Sequence, residues 1–307
     1  MTPPPLFGIN IDPSTASLES ALRLAQIADK STIDLVTMQD HPYNPDFLET
    51  WTLMTALASR TERVRFLTNM LNTPLRPPAV LAKMAATLDV ISNGRLELGI
   101  GAGGNVQGMK AWDGVVGNEP GERYQAFTEY IEILQGLFAN SGRDFSFQGT
   151  YYQVDHIVNG LPLERRIPLW IGAGKPRMLR LAGSKSDGWL IGTIYILPEG
   201  LDEVNRLLDE GAYQAGRRPD DIHRGYNLFG AIQSSTSEQF HFNRPGLIYG
   251  SAQKWVDTMV YFHHRYRHNT FVFWPVAGDA ETQVKIFLEE VMPEVKQTIQ
   301  DNSLSAN

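Results

Sequence analysis

An aspartate and a histidine stand side by side where an apolar run ends. The stretch VTMQDHPYNP covers residues 36–45, and Asp40 and His41 directly follow its apolar first half. Imidazole exchanges a proton near neutral pH, so His41 is the candidate catalytic acid or base. Pro42 and Pro45 then stop strand pairing and shape a loop. An ordinary solvated loop histidine is the alternative, and the two interpretations stay open at this point.

Two glycine-rich turns have the composition of a cofactor site. In the first turn, GIGAGGN, missing side chains let a flat ligand approach the main chain. The second turn, IGAGKPR, leads into a helical pattern, where free N–H groups and the positive end of the dipole favour a phosphate. The candidates in these turns are Gly101, Ala102, Gly103, Gly104, Gly172, Ala173, Gly174, Lys175, Pro176 and Arg177. The two turns together favour a large planar cofactor with a phosphate, although an ordinary strand–helix loop is the alternative for the second.

Eight short apolar runs alternate with helical patterns and would position these residues. The predicted strands are Leu6–Asn10, Asp34–Met38, Val64–Asn69, Leu96–Ile100, Ile167–Gly172, Gly188–Gly192, Gly225–Ala231 and Thr270–Trp274. The predicted helices are Leu18–Lys30, Leu48–Arg60, Pro78–Ile91, Gly121–Phe138, Arg177–Ser184, Gly200–Ala215, Ala252–Tyr266 and Glu281–Gln300. Eight such units favour a closed (β/α)8 TIM barrel, with an open doubly wound sheet as the alternative.

One segment interrupts this alternation. RDFSFQGTYYQVDH, residues 143–156, predicts a β-hairpin inserted before the fifth strand. No repeat or linker is visible, so we expect a single domain over residues 1–307.

The C-terminal strand ends of a barrel form its active-site face, so the residues that follow each strand are informative. Asn10 ends the first predicted strand, Asp40 and His41 follow the second, and Asn69 ends the third and is followed by Met70. Both glycine turns follow the next two strands. We therefore expect all of these residues at one mouth.

The bulk composition excludes several classes of function. The chain has 307 residues, a net charge of −7 and no basic stripe, so nucleic acid is not an expected partner. The absence of cysteine excludes disulfides and thiolate metal sites, and it fits a cytoplasmic location. No apolar run approaches the ~18 residues of a membrane span, and the N-terminal residues show no signal-peptide pattern. Asp12, Asp40, His41 and His156 could form the metal site of a hydrolase, but no typical ligand spacing supports one.

Several long segments resemble one enzyme family. They are RPPAVLAKMAATLDVISNGRLELGIGAGG, PLWIGAGKPRMLRLAGSKSDGWL, RPGLIYGSAQKWVDTM and TFVFWP. In this order they resemble the bacterial luciferase-like family of flavin- and deazaflavin-dependent oxidoreductases, the luciferase-like monooxygenases. The resemblance covers nearly the whole chain and implies a (β/α)8 barrel enzyme with a small-molecule substrate.

The resemblance implies one of two cofactors. One branch of the family uses FMN and activates oxygen, and the other uses coenzyme F420 and moves hydrides. Asp40 and His41 resemble the Asp-His pair of the F420 branch, whose histidine lies against the deazaflavin ring, so F420 is favoured. An FMN-dependent monooxygenase is the first alternative and a non-catalytic, cofactor-free member the second. Asn69 and Met70 fall where these enzymes carry a cis peptide bond behind the ring.

Two departures concern the substrate. Gly104 stands where the family's sugar-phosphate dehydrogenases carry a glutamate acid, and Pro45 stands in the place of their tryptophan. A sugar phosphate is therefore not the expected substrate. The resemblance also places a homodimer interface on the helices of the second and third units.

Overall fold

Eight parallel strands close into a barrel. The computed structural model describes residues 4–114, 117, 119–159, 165–233 and 244–305. In chain order the strands are β1 Leu6–Asn10, β2 Leu35–Met38, β3 Arg65–Thr68, β4 Leu71–Asn72, β5 Leu96–Gly101, β6 Asp144–Gln148, β7 Gln153–Val158, β8 Leu169–Ile171, β9 Gly188–Gly192, β10 His223–Ile232, β11 Ile248–Gly250 and β12 Thr270–Pro275. Parallel pairing runs from β1 through β2, β3, β5, β8, β9, β10 and β12 back to β1. The predicted (β/α)8 TIM barrel is confirmed, and the open sheet is excluded.

Helices surround the barrel. They are α1 Leu18–Asp29, α2 Thr50–Ala58, α3 Pro78–Ile91, α4 Val106–Ala111, α5 Pro120–Ala139, α6 Pro176–Lys185, α7 Leu201–Gln214, α8 Ala252–Tyr266, α9 Ala280–Ile286 and α10 Met292–Ser305. The sequence did not predict α4, because its two turns are too short for a helical period. The predicted single helix Glu281–Gln300 is divided by a π-helical turn, Phe287–Val291, between α9 and α10. In the part of the chain that the structure describes, no helix has both the length and the apolar character to cross a membrane.

Local sequence signals set several of these boundaries. Ser251 caps α8 by accepting a hydrogen bond from the Lys254 N–H. After α3, Asn93 and Gly94 both adopt positive φ, at 53° and 76°, and turn the chain into β5. Glu119 and Glu122 form a reciprocal capping box at the start of α5. Short-range chemistry therefore decides where these elements begin and end.

Apolar side chains fill the inside of the barrel. Leu35, Leu67, Trp170, Leu190 and Val272 form a buried cluster there, one that comes from five different strands. Met70 packs onto this cluster, and it also faces the cavity at the C-terminal strand ends. The filled interior therefore forms a floor on which a ligand can rest.

A two-stranded antiparallel sheet, β6 and β7, precedes β8 in the chain. Its Phe145 ring packs against Gly136 of α5, so closely that a Cβ on this glycine would lie 2.2 Å from the ring. The carboxylate of Glu129 on α5 accepts hydrogen bonds from the N–H groups of Thr150, Tyr151 and Tyr152 in the connecting loop, at 2.8, 2.8 and 3.1 Å. These contacts dock the hairpin on the outer helix layer, away from the barrel interior.

Candidate active site

A cavity of about 780 Å³ lies at the C-terminal ends of the barrel strands. The predicted residues that line it are His41, Asn69, Met70, Gly101, Ala102, Gly103, Gly104, Gly172, Ala173, Gly174 and Lys175. Asn10, Asp40, Pro176 and Arg177 were predicted with them but do not line the cavity. The strand ends therefore bring most of the candidates to one mouth, as parallel strands in a barrel must.

The wall formed by the ends of β5 and β8 is nearly free of side chains. A Cβ added to Gly104 would meet no atom within 4 Å, and one added to Gly174 would meet only Ile196 Cδ1, at 3.7 Å. Gly103 adopts a φ of +85°. Side chains at Gly104 and Gly174 would thus project into open space, and the glycines keep this space free. A large, flat ligand fits such a wall.

The floor of the cavity combines Met70 with buried amides. The peptide bond between Asn69 and Met70 is cis, as the resemblance predicts. The side chains of Asn69 and Asn227 donate hydrogen bonds to each other across the barrel, at 2.9 and 3.1 Å. Asn69 also donates to Thr37 Oγ1 at 3.2 Å, and Thr37 donates to Asn10 Oδ1 at 3.0 Å. Asn10 therefore supports the floor from behind through Thr37.

His41 lies at the mouth with one ring nitrogen engaged. Its Nδ1 lies 2.7 Å from Tyr43 Oη, and no partner for Nε2 is present among the described residues. Burial lowers the pKa of His41, against the nearby Asp40 carboxylate, which raises it. The imidazole is therefore neutral at pH 7. Nε2 is the nitrogen left to meet a ligand in the cavity.

Asp40 points away from the cavity and is completely buried. Arg76 donates to both of its carboxylate oxygens, at 2.8 and 3.0 Å, and the Asn72 N–H donates to one of them at 2.9 Å. Arg76 also donates to Glu49 at 2.6 Å, which ties the loop to the start of α2. Consecutive residues of an extended segment face opposite sides, so Asp40 anchors the loop on which His41 faces the ligand space. Asp40 was predicted as a cofactor-site residue, but in the structure it does not line the cavity.

The second glycine turn leads into α6. Lys175 is the N-cap residue of this helix and lines the cavity, and no side chain caps the first turn. Arg177 turns away, with its guanidinium 4.2 Å from the centre of the Tyr124 ring on α5. The turn therefore offers helix N–H groups and one ammonium to an anion, while Arg177 packs beside it.

Aromatic side chains form a further part of the cavity lining. Among those described are Tyr43, Phe47, Tyr195, Phe229 and Trp274, and the rings of Phe229 and Trp274 stack at 4.4 Å. Sequence reasoning did not single these residues out. Trp274 ends a predicted strand, so its position could have identified it, whereas Tyr195 lies in a loop without a recognisable pattern.

The residues considered as a metal site do not converge. His156 lies on β7, exposed, with Nδ1 2.7 Å from Asp144. Within the described ranges, no group of three or more histidine and acidic side chains could hold a metal ion. The alternative of a metal-dependent hydrolase therefore has no support among these residues.

The glycine-walled cavity, with a histidine at its mouth, opens at the C-terminal face of a (β/α)8 barrel, the face on which barrel enzymes carry their active sites. The chain belongs to the luciferase-like monooxygenase family, whose model matches residues 6–262. The family resemblance of the sequence is thereby confirmed.

Curated relatives carry the names of F420 enzymes. The chain is 33% identical over 238 residues to the F420-dependent glucose-6-phosphate dehydrogenase of Microbacterium testaceum, covering 72% of this chain and 67% of the relative. It is 31% identical over 212 residues to the enzyme of that name from Nocardia farcinica, covering 66% of this chain and 61% of the relative. The matched segments thus span about two thirds or less of the length of these relatives.

Solved structures share the fold. An F420-dependent secondary alcohol dehydrogenase, in complex with an F420–acetone adduct, superposes with a TM-score of 0.82 at 20% identity, covering 95% of this chain and 99% of the other. A long-chain alkane monooxygenase gives a TM-score of 0.80 at 15% identity, with 97% and 92% covered. At these identities the similarity shows the barrel fold alone.

Proposed function

We propose that the protein is an oxidoreductase that uses coenzyme F420 and moves a hydride to or from a small organic molecule. The position of His41 carries this proposal: a neutral imidazole with a free Nε2 faces a glycine-walled cavity, while Asp40 anchors it from behind. The names of the curated relatives support F420 over FMN.

The residues present fit a ring with a phosphate tail. Met70 would support the ring from the barrel side, and residues 101–104 would leave room along its edge. Residues 172–175 would hold the phosphate, through the N-terminus of α6 and the Lys175 ammonium. When bound, F420 would supply a two-electron hydride donor or acceptor. His41 would exchange a proton with the substrate, a role typically worth about 10²- to 10⁴-fold in rate.

A titration with each cofactor tests this function. Purified protein is titrated with F420 and with FMN, and binding is followed through the fluorescence of each cofactor. We expect F420 to bind at least tenfold more tightly, about 1.4 kcal/mol. Tighter binding of FMN would favour a reduced-flavin monooxygenase instead, and binding of neither would identify a cofactor-free member of the family.

We also propose a homodimer through α2 and α3. These helices form an apolar groove of about 500 Å³, lined by Trp51, Val80, Met84 and Ile91 among others. Val80 and Ile91 lie near the two ends of α3 and are 51% and 47% exposed, which is high for β-branched aliphatic side chains. A second copy of the chain would bury this face. The single-domain organisation and the cytoplasmic location stay predictions from the sequence.

A further inference from the structure

We propose that the substrate is an uncharged, ring-bearing alcohol or the corresponding carbonyl compound, and not a phosphorylated or carboxylated metabolite. This inference rests on the proposed function, because it concerns the part of the same cavity that the cofactor leaves free. It is supported by the small number of positively charged side chains among the described residues that line the cavity.

Lys175 is the single lysine or arginine among the described residues that line the cavity. It belongs to the turn that would hold the cofactor phosphate. The residues outside the described ranges contain no lysine or arginine in the sequence, so none of them can add an ammonium or guanidinium side chain. An anionic substrate would therefore lose its hydration at the aromatic wall without gaining a matching cation, which is costly.

Two neighbouring cations, Arg76 and Arg177, are engaged elsewhere. Arg76 is paired with Asp40 and Glu49 behind the wall, and Arg177 lies over the Tyr124 ring. An acidic residue, Asp12, lies just after β1 and accepts a hydrogen bond at 2.6 Å from Gln39, a lining residue. Electrostatics on this side of the cavity thus disfavour phosphate and carboxylate groups.

The aromatic side chains indicate a ring. Phe229 and Trp274 stack with 23° between their planes, and both line the cavity together with Tyr43 and Phe47. Tyr195 also lines the cavity and is 71% exposed, so its ring is free to cover a ligand. Faces and edges of this kind hold flat, apolar molecules by stacking and burial of apolar area.

Nε2 of His41 is the group that would bind the hydroxyl or carbonyl oxygen of the substrate. In the oxidation of an alcohol, the O–H bond breaks and its proton passes to Nε2 of His41. The carbinol hydrogen would leave with the electron pair of its C–H bond, a hydride that bound oxidised F420 would accept, and the O–H electron pair would form the C=O bond. A neutral imidazole at pH 7 is the protonation state that this direction needs.

Matched ligands test the charge argument by isothermal titration calorimetry. 1-Phenylethanol and mandelate share a phenyl ring and a carbinol, but 1-phenylethanol has a methyl group where mandelate has a carboxylate. Methyl mandelate is the uncharged ester of mandelate and controls for the larger size of the carboxylate. We expect both neutral ligands to bind at least tenfold more tightly than mandelate, and glucose 6-phosphate to bind no better than mandelate. Mandelate or glucose 6-phosphate binding as tightly as 1-phenylethanol would overturn the proposal, as would 1-phenylethanol that does not bind at millimolar concentration.

A pair of variants tests the aromatic wall. Trp274→Ala should weaken 1-phenylethanol binding at least fivefold, whereas Trp274→Phe should keep it within twofold. Equal affinity in all three proteins would contradict the assigned site. These titrations are made both with and without saturating F420. A protein that binds the neutral ligands but not F420 would refute the proposed function alone, and one that binds F420 but prefers the anions would refute this inference alone.

Discussion

Arg76 donates to both carboxylate oxygens of Asp40, from Nη1 at 2.8 Å and from Nη2 at 3.0 Å. Asp40 is fully buried, and 11% of the Arg76 side chain is exposed. Asp40 directly precedes His41 in the chain, so this ion pair connects the stability of the loop to the position of the imidazole.

Asp40→Asn should lower the free energy of unfolding by about 3 kcal/mol, because it leaves the Arg76 guanidinium buried with only Glu49 as a partner. Urea denaturation measures this change. Arg76→Met should cost a similar amount, and the double variant should cost clearly less than the sum. Strict additivity would show that the two side chains are not energetically coupled.

His41→Ala should keep the fold and most of the cofactor affinity but lose at least tenfold in turnover, because Nε2 no longer exchanges the substrate proton. Thermal melting, cofactor titration and single-turnover oxidation of the alcohol separate these effects. Because burial lowers the pKa of His41 below 6.5, kcat/KM for oxidation should stay level down to about pH 6.5 and fall only at lower pH. If the variant turned over as fast as the parent protein, His41 would be an ordinary loop histidine without a catalytic role.

Gly174→Asp should weaken cofactor binding more than tenfold, about 1.4 kcal/mol, because it places a like charge beside the phosphate at a helix N-terminus. The chain should still fold, since the new Cβ meets only Ile196 at 3.7 Å. Gly174→Asn is the matched control, with the same size and no charge. The difference between the two variants isolates electrostatics, and identical affinities would exclude a phosphate at this turn.

His268 should make the fold sensitive to acid. It is fully buried among the rings of Trp189, Tyr226 and Phe262, and burial, together with the positive Arg224 and His263, lowers its pKa to about 3. The unfolded chain binds this proton below about pH 6.5, whereas the folded chain does not until about pH 3. The unfolding free energy should therefore fall as pH drops through this window, by up to about 1.4 kcal/mol per pH unit from this group.

His268→Leu should reduce that pH slope, whatever it does to stability at pH 7. Urea denaturation between about pH 7 and pH 5 measures the slope. His156→Gln is the control, because His156 is exposed and its pKa is raised by hydrogen bonding to Asp144. A slope unchanged in His268→Leu would show that other groups, such as His223 and His263, dominate the acid sensitivity.

Ile91→Glu should shift the protein toward a monomer, because it places a charge in the apolar groove between α2 and α3. Sedimentation velocity reports the oligomeric state. Val158→Glu on the hairpin strand β7 is the control, since Val158 is 55% exposed but lies outside this groove. A parent protein that is monomeric at micromolar concentration would refute the dimer.

Much of the architecture and part of the site could be predicted from the sequence. The eight barrel strands each carry a local apolar run, and the glycine turns and His41 directly follow such runs. Because parallel strands in a barrel end on one face, position along the chain was enough to place these residues at the mouth.

Tertiary structure alone decided which neighbours share the cavity and which turn away. Tyr195 follows β9, Asn227 and Phe229 lie on β10, and Trp274 lies on β12, and only closure of the barrel brings them to His41. Arg177 follows the glycine turn in sequence, yet it packs on Tyr124 instead of facing the ligand space. Apolar periodicity and turn chemistry act over a few residues, so they determine elements and strand ends. The direction of a side chain and the charges around it depend on contacts between residues far apart in the chain, and these exist only once the barrel has closed.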